Sequence, residues 1–366
     1  MRPVRIAVDA RELAGAATGA GRYLAQLVAE WDRIPDGARH EFVFYAHDQV
    51  HVPAPHLRTD LRVLPGNGGT RWEQMTLAAR LRDDRPDVLF APAYTSPILT
   101  RVPTALAVHD VSFAAHPEWF RLREGARRRL VTGAAARRAR IVLTLSHFSK
   151  DEIVRRLRVP AARVRVVPLG LGVVADDDAQ GGGSGARTNV LFVGSVFNRR
   201  HVPALIRAMP FVVARHPSAR LSIVGENRTW PHEDLEAAAR AAQIADRVAV
   251  EAFVDDGALR AKYSEAAAFV FLSEYEGFGL TPLEALASGV PSVVLDTPVA
   301  REVYGNAARY VSRPEPAEVA QAICELIEDG PTRRAVLTAA PAVLARYRWR
   351  DAARATLTAI EEAAGS

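Results

Sequence analysis

Glu276 and Glu284 are the residues whose type and spacing point most directly to chemistry. They flank the loop Gly277-Phe278-Gly279, which follows the apolar run 268–272. Glycines let a backbone approach a ligand closely, and a carboxylate in such a loop can accept hydrogen bonds from hydroxyl groups or take up a proton. Because Glu276 precedes the next helix, we predict a role in binding or catalysis for it.

The residues after this loop predict a helix over 281–288. Thr281 and Glu284 have the Thr-x-x-Glu spacing of a capping box, and Pro282 suits the first helical position. The free N–H groups and the positive end of the helix dipole would then form a phosphate site. For Glu284 itself, capping alone and ligand binding both remain open.

Two further groups of polar residues follow strand-like runs. Arg199 and Arg200 come shortly after the run 189–193. Cations at a helix N-terminus are disfavoured by the helix dipole, so this pair is poorly explained as two solvent-exposed arginines without a function. A contact with phosphate explains the pair better. His109 ends the run 105–109, where a buried structural histidine and a ligand contact are both possible.

Short β-branched runs alternate with longer amphipathic ones through both halves of the chain, which predicts an α/β fold with parallel sheets. The predicted strands cover 4–9, 41–46, 88–91, 105–109, 141–145, 164–167, 189–193, 220–224, 247–250, 268–272 and 291–295. The predicted helices cover 21–31, 72–82, 122–138, 148–157, 201–215, 232–243, 256–266 and 281–288.

The only low-complexity segment, Asp176 to Gly185, separates the two halves. Its Gly/Ser content favours a flexible interdomain linker over a surface loop. We therefore predict an N-terminal domain over 1–175, a linker over 176–186, a C-terminal domain over 187–345 and a final helix over 346–366 that crosses back. Ligands of such sheets bind beyond the carboxyl ends of the strands, and two facing domains would leave a cleft there.

Length and composition exclude several classes of protein. With 366 residues, 49% of them hydrophobic, the chain can bury a core, and the single Cys324 excludes an internal disulfide and a multi-cysteine zinc site. Apolar runs are too short for a membrane span, and no secretory signal precedes the first strand, so we expect a cytoplasmic protein. A net charge of +5 is compatible with three classes of partner: nucleic acid, anionic lipid and phosphorylated small molecules.

The segment 121–140 has eight arginines against one acid, Glu124. Leu122, Ala126, Leu130 and Ala134 recur every fourth residue, which predicts an amphipathic helix with a basic face. That face could be simply solvated, or it could make peripheral contact with an anionic membrane. Aromatic residues do not alternate with the arginines, so we expect no nucleic-acid partner.

Glu276 and Glu284 together resemble the Glu-x7-Glu motif of the retaining glycosyltransferases of family 4, which are GT-B enzymes with two facing Rossmann-like domains. The resemblance extends over most of the chain. It includes the glycine loop Gly19-Ala20-Gly21-Arg22-Tyr23, the histidine loop Val108-His109-Asp110, the helix start Phe148-Ser149-Lys150-Asp151, and the donor-phosphate segment with Val193-Gly194-Ser195 and Arg199-Arg200.

The resemblance implies a role for each matching residue. Glu284 would bind the ribose of a nucleotide sugar, while Glu276 and His109 would contact the transferred sugar and are the candidate catalytic residues. The remaining implied contacts to sugar, diphosphate or acceptor are Gly19, Gly21, Ser195, Arg199, Arg200, Gly277, Phe278, Gly279, Leu280 and Thr281. The family usually has Arg-Lys where this chain has Arg199-Arg200, and His201 replaces the usual Asn or Gly.

The resemblance therefore implies a hexosyltransferase that needs no cofactor and no metal. The donor would be a GDP- or UDP-linked sugar, with mannose favoured. The acceptor would be a hydroxyl of a glycan, a lipid-linked molecule or a small molecule, and the anomeric configuration would be retained. Two alternatives stay open: a GT-B nucleotide-sugar epimerase, and a non-catalytic nucleotide-sugar-binding partner of another transferase.

Overall fold

The computed structural model describes residues 3–15, 19–172 and 187–365. They form two compact units: residues 1–170 with 347–366 make up the first, and residues 171–346 make up the second. The predicted linker over 176–186 lies outside the described residues. The segment after 346 belongs to the first unit, although it follows the second in sequence.

Each unit contains one parallel β-sheet, which confirms the predicted α/β architecture. The sheet of the first unit has the order β3-β2-β1-β4-β5-β6-β7, and that of the second β10-β9-β8-β11-β12-β13. The strands are β1 (Arg5–Asp9), β2 (Glu41–Ala46), β3 (Arg58–Val63), β4 (Val88–Ala91), β5 (Thr104–Ala107), β6 (Ile141–Thr144), β7 (Val164–Val166), β8 (Asn189–Val193), β9 (Leu221–Val224), β10 (Val248–Glu251), β11 (Ala266–Phe271), β12 (Ser292–Leu295) and β13 (Arg309–Val311).

Helices connect and cover these strands. They are α1 (Gly19–Arg33), α2 (Ala78–Asp84), α3 (Ser112–Ala115), α4 (Leu122–Arg138), α5 (His147–Leu157), α6 (Val202–Arg215), α7 (Leu235–Ala241), α8 (Asp256–Glu265), α9 (Leu280–Ala287), α10 (Pro298–Tyr304), α11 (Pro316–Ile327), α12 (Pro331–Leu344) and α13 (Trp349–Ala364). Central strands such as β4 and β11 are buried along their whole length, as parallel strands covered on both faces must be.

The final helix, α13, completes the core of the first unit. Its apolar face packs against α1 and against strands β4, β5 and β6. Trp31 of α1 is fully buried, and its indole Nε1 donates a hydrogen bond to the carbonyl oxygen of Ala353 at 2.9 Å. The first unit therefore depends on residues from both ends of the described chain.

Several elements differ from the predictions, and the helices α3, α10 and α12 were not predicted. The strands β3 and β13 were not predicted, because both are sheet edges whose polar side chains leave no clear alternating pattern. The predicted helix over 72–82 is in fact a π-helical turn, Trp72–Leu77, followed by α2. Such a turn changes which side chains face inward, and it buries Glu73.

Helix α4 has the predicted bounds, but the predicted apolar face is wrong. Leu122 is 88% exposed and Leu130 is 71% exposed. The helix is buried instead through small residues that allow close packing: Gly125, Thr132, Gly133, Ala135 and Ala136. The leucines therefore lie at the surface among the arginines. Across residues 3–15, 19–172 and 187–365, every helix is too short or too polar to cross a bilayer.

We predict that Ile360→Ala destabilises the protein by about 2–5 kcal/mol, because Ile360 is fully buried in the core of the first unit. Thr358→Ala is the matched control: Thr358 lies on the exposed face of the same helix, so its replacement should change the free energy of unfolding by less than about 0.5 kcal/mol. Urea unfolding followed by tryptophan fluorescence measures both. Equal stability of the two variants would show that α13 does not complete this core.

Candidate active site

The predicted site residues lie in both units. Gly19, Gly21 and His109 belong to the first, and the residues from Ser195 to Glu284 belong to the second. In each unit they follow the carboxyl ends of central strands, where parallel sheets bind ligands.

The loop after β8 is shaped by glycine. Gly194 has φ +132°, and a Cβ there would lie 2.8 Å from Nη1 of Arg200. Gly225, at the end of β9, has φ +150°, and a Cβ there would lie 2.0 Å from the carbonyl oxygen of Gly194. Only glycine fits either position, so the backbone after β8 leaves room for the guanidinium of Arg200.

Arg200 and Glu276 form an ion pair. Nε and Nη2 of Arg200 each lie 2.8 Å from Oε1 of Glu276, and Nη1 donates to the carbonyl oxygen of Ser195 at 2.8 Å. Ser273 also donates its hydroxyl to the same Oε1 at 2.9 Å. The side chains of Arg200 and Glu276 are only 13% and 16% exposed, so this pair is better shielded than a surface salt bridge.

Aromatic rings and a second set of contacts fix the same loops. The guanidinium of Arg199 lies 4.4 Å from the ring centre of Phe197, and that of Arg200 lies 4.8 Å from the ring centre of Phe271. The N–H of Glu274 donates to the carbonyl oxygen of Arg199 at 3.0 Å. The structure therefore brings Arg199, Arg200 and Glu276 together, although 75 residues of sequence separate the two loops.

The start of α9 differs from the prediction. The helix begins at Leu280, with Gly279 as the N-cap at φ +89° and no side-chain capping bond. Thr281 is therefore inside the first turn, its Oγ1 is buried without a hydrogen-bond partner, and the predicted capping box is wrong. The left-handed glycine starts the helix two residues earlier than the proline suggested, so Pro282 is the third helical residue rather than the first.

Glu284 lies one turn further along α9. Its Oε2 accepts a hydrogen bond from the hydroxyl of Tyr263 at 3.4 Å. Burial, followed by the nearby Glu284 charge, raises the pKa of Tyr263, so this phenol stays protonated and can keep donating. Capping therefore does not account for Glu284, and its partly exposed carboxylate is positioned by Tyr263.

The glycine loop Gly277-Phe278-Gly279 is held in place by burial and by Tyr304. Gly277 and the side chain of Phe278 are buried, and Leu280 is partly buried. The hydroxyl of Tyr304 donates to the carbonyl oxygen of Gly279 at 2.8 Å, and a Cβ on Gly279 would lie 2.2 Å from that hydroxyl oxygen. Tyr304 thus holds the loop in the conformation from which α9 starts.

In the first unit, His109 lies just beyond the end of β5. Its Nε2 is 2.8 Å from the carbonyl oxygen of Pro92, so Nε2 carries the proton and Nδ1 is left as an acceptor. The rings of Tyr23 and Tyr94 meet the imidazole edge-on, with centroids 4.9 and 5.4 Å away. Burial lowers the pKa of His109, so the ring is neutral at pH 7.

Gly19 and Gly21 are helical, although the resemblance places them in a glycine loop. They are in the first turn of α1, and Gly21 is buried. The next turn of the same helix places Tyr23 against His109. The structure therefore brings the glycine segment and His109 together through this tyrosine.

A buried acidic cluster at the end of β1 was missed by sequence reasoning. Asp9 and Glu73 are each 1% exposed, and both pair with the guanidinium of Arg11. Thr95 donates its hydroxyl to Glu73 at 2.7 Å. Burial raises the pKa of Asp9 to about 6. Asp9-x-Arg11 at the end of a strand was the available signal, but no local pattern indicated that Glu73 would be buried. Over the residues that the structure describes, no group of three or more His, Cys, Asp and Glu side chains could hold a metal ion.

Comparison with known families accounts for both units. Residues 17–172 match the family described as Glycosyltransferase Family 4, and residues 187–329 match the one described as Glycosyl transferases group 1. This chain belongs to glycosyltransferase family 4. The resemblance stated from the sequence motifs is thereby confirmed.

Individual relatives are distant. An O-antigen chain mannosyltransferase B from Escherichia coli is 24% identical over 76% of this chain and 75% of its own. An uncharacterised glycosyltransferase from Methanocaldococcus jannaschii is 26% identical over 59% of this chain, and the match spans 58% of that relative's length. The crystal structure of HepE from Anabaena in complex with UDP-glucose superposes with a TM-score of 0.72 at 18% identity, covering 99% of this chain and 100% of that one. This likeness confirms the GT-B fold.

We predict that Gly279→Ala destabilises the protein more than Gly289→Ala. Both glycines have positive φ, so alanine at either position should cost about 1–2 kcal/mol. A Cβ on Gly289 would meet nothing within 4 Å, whereas one on Gly279 would collide with the hydroxyl of Tyr304.

In a Tyr304→Phe background the collision is removed, because the next ring atom lies 3.4 Å from the added Cβ. The cost of Gly279→Ala should then fall to that of Gly289→Ala, as measured by denaturant unfolding of the double-mutant cycle. An unchanged cost in the Tyr304→Phe background would contradict the assigned contact.

Proposed function

We propose that this protein is a retaining hexosyltransferase that moves a sugar from a nucleoside diphosphate to an acceptor hydroxyl. One observation carries the proposal: in a family 4 chain, the loop with Arg199 and Arg200 meets the Glu276 loop that leads into α9. The uncapped N–H groups of α9 and the guanidinium groups of the neighbouring loop together suit the diphosphate of a nucleotide sugar.

In this reaction the leaving group is the part that most needs electrostatic stabilisation. As the bond from the anomeric carbon to the diphosphate breaks, negative charge grows on the diphosphate oxygens, and the acceptor oxygen takes their place on the same face of the sugar. Fixed N–H groups and cations aimed at that charge stabilise the transition state more than the ground state. Glu276 would contact the sugar hydroxyls and Glu284 those of the ribose.

For the donor, we favour GDP-mannose over UDP-linked sugars. The Escherichia coli relative named as a mannosyltransferase supports mannose, and HepE, which was solved with UDP-glucose, keeps the UDP-linked sugars as the second candidate. His109 belongs to the proposed sugar contacts, because Nδ1 of its neutral ring can accept a hydrogen bond from a hydroxyl.

We further propose that α4 contacts an anionic bilayer. Its exposed Leu122 and Leu130 lie among arginines, and this combination suits the headgroup region of a membrane better than water alone. The exposed Arg123, Arg129 and Arg138 would supply the attraction to anionic lipid. An enzyme held in this way could reach a lipid-linked acceptor.

Thermal unfolding with GDP, UDP, ADP and dTDP tests the donor site. At ~100 times its dissociation constant the cognate nucleotide should add ~2.7 kcal/mol to the stability of the folded state. Glu284→Ala should weaken that nucleotide about tenfold through the lost charged hydrogen bonds. Glu265→Ala, an exposed glutamate at the end of α8, is the control and should leave binding unchanged. Failure of all four nucleotides at millimolar concentration would refute the proposed donor site.

The same protein then distinguishes the reaction classes. Release of the cognate nucleotide that requires an acceptor, with a product of unchanged anomeric configuration by NMR, supports a retaining transferase. Conversion of the nucleotide sugar without an acceptor would favour an epimerase. Binding without any turnover would favour a non-catalytic partner.

Sedimentation with vesicles tests the membrane contact. The wild type should bind vesicles of equimolar phosphatidylcholine and phosphatidylglycerol but not phosphatidylcholine alone. Leu122→Ser with Leu130→Ser should reduce binding at least tenfold, since burying each leucine is worth about 1.5–3 kcal/mol. Leu99→Ser is the control, because Leu99 is 83% exposed and lies outside α4. Absence of wild-type binding to the anionic vesicles would overturn the proposal.

A further inference from the structure

The segment 92–98, which follows β4, carries the hydrogen-bond acceptor of His109. The carbonyl oxygen of Pro92 lies 2.8 Å from Nε2 of His109, and the ring of Tyr94 meets the imidazole edge-on. Tyr94 has φ +60°, which is a strained conformation for an aromatic residue. Such a conformation persists only where neighbouring groups hold it, so the surroundings of this segment must fix it.

Glu73 holds the segment through Thr95. The hydroxyl of Thr95 donates to Oε1 of Glu73 at 2.7 Å and accepts from Nη2 of Arg11 at 3.1 Å. Arg11 also pairs directly with Glu73 and with Asp9, so two buried carboxylates share one guanidinium. Replacing a buried ionic cluster by apolar side chains is often neutral or stabilising. Stability alone therefore does not explain why Glu73 is buried here.

Gln74, the next residue of the same π-helical turn, adds two further bonds to the segment. Its side-chain amide donates to the carbonyl oxygen of Ser96 at 3.0 Å and accepts from the N–H of Ile98 at 2.8 Å. Turns of this kind are rare and are frequently found at functional sites. This one directs two consecutive polar side chains at the segment on which His109 depends.

We infer that Glu73 is a positioning residue for His109, acting through Thr95 and the segment 92–98. The inference rests on the proposed function, in which His109 contacts the transferred sugar. With the Pro92 carbonyl fixed, the proton stays on Nε2 of His109, and Nδ1 is kept as the acceptor for a hydroxyl. Such control matters because a misplacement of about 1 Å can lower an enzymatic rate about 100-fold.

Removal of the Thr95 hydroxyl tests the link without changing the size of the side chain. In Thr95→Val the Nε2 proton of His109 should exchange with solvent at least about tenfold faster, because the segment opens more often. Glu73→Gln should have the same effect, since a neutral amide binds the guanidinium of Arg11 more weakly. Proton–nitrogen NMR spectra follow the exchange, and His109→Gln identifies the signal.

Tyr45→Phe is the matched control. The hydroxyl of Tyr45 likewise donates to a carboxylate, that of Asp84 at 2.8 Å, which belongs to α2 and not to the π-helical turn. Its loss should lower the stability of the protein but change the exchange rate of the His109 proton less than about twofold. Thr95→Ser keeps the hydroxyl and should exchange this proton at the rate of the wild type.

Turnover supplies a second measurement. In Thr95→Val, kcat for transfer should fall about tenfold. The dissociation constant of the nucleoside diphosphate that stabilises the wild type should change less than about twofold, because its proposed contacts lie in the second unit. Thr95→Ser should recover kcat. In a His109→Gln background, Thr95→Val should reduce kcat little further, because the residue that it positions is already lost.

The outcomes separate the two proposals. A wild type that binds no nucleoside diphosphate or transfers no sugar refutes the proposed function, and the exchange measurement still tests the link from Glu73 to His109. Exchange as slow in Thr95→Val and Glu73→Gln as in Tyr45→Phe refutes the positioning role. Multiplicative losses of kcat in the double variant of an active enzyme refute it as well. Thermal unfolding of every variant checks that it is folded.

Discussion

The ion pair between Arg200 and Glu276 is the interaction on which the geometry of the second unit's site depends. A guanidinium only 13% exposed needs a carboxylate partner, and that partner comes from a loop 76 residues away in sequence. Several other features follow from it. Gly194 is required because a side chain would reach the guanidinium, Ser273 completes the anchoring of the carboxylate, and Phe271 lies beneath the charge. The start of α9 is fixed a few residues later by the bond from Tyr304 to Gly279.

The first unit also contains a largely buried arginine, Arg11, whose charge is balanced by carboxylates. Arg11 also lies just after a central strand, and it also joins loops distant in sequence, but it pairs with two buried carboxylates instead of one. Burial raises the pKa of Asp9 to about 6, above its ordinary value near 3.8. The folded state therefore holds a proton there that the unfolded chain has lost, and ionising Asp9 costs stability as the pH rises through about 6. Below about pH 6 the proton on Asp9 reduces the negative charge of this cluster.

Local patterns predicted most of the fold. The runs 41–46, 88–91 and 189–193 have the observed strand bounds, because a buried parallel strand must be apolar along its length. The edge strands β3 and β13 were not predicted, because exposed strands carry no such apolar pattern. The apolar face of α4 was predicted wrongly for a related reason. Apolar residues at every fourth position indicate one face of a helix, but they do not show whether that face is buried. Here glycine and alanine pack closer than leucine could, and the leucines are left outside.

The site was predictable as a set of loops but not as a set of contacts. Glu276, Glu284 and the two arginines could be found from spacing and resemblance, yet nothing in either segment alone indicates that Oε1 of Glu276 would bind Arg200. The failed capping box has the same origin. Thr281 and Glu284 satisfy the local rule, but Tyr304 holds Gly279 in a left-handed conformation, and the helix begins before the threonine. Such contacts join residues that are far apart in sequence, so no local pattern in either segment can indicate them.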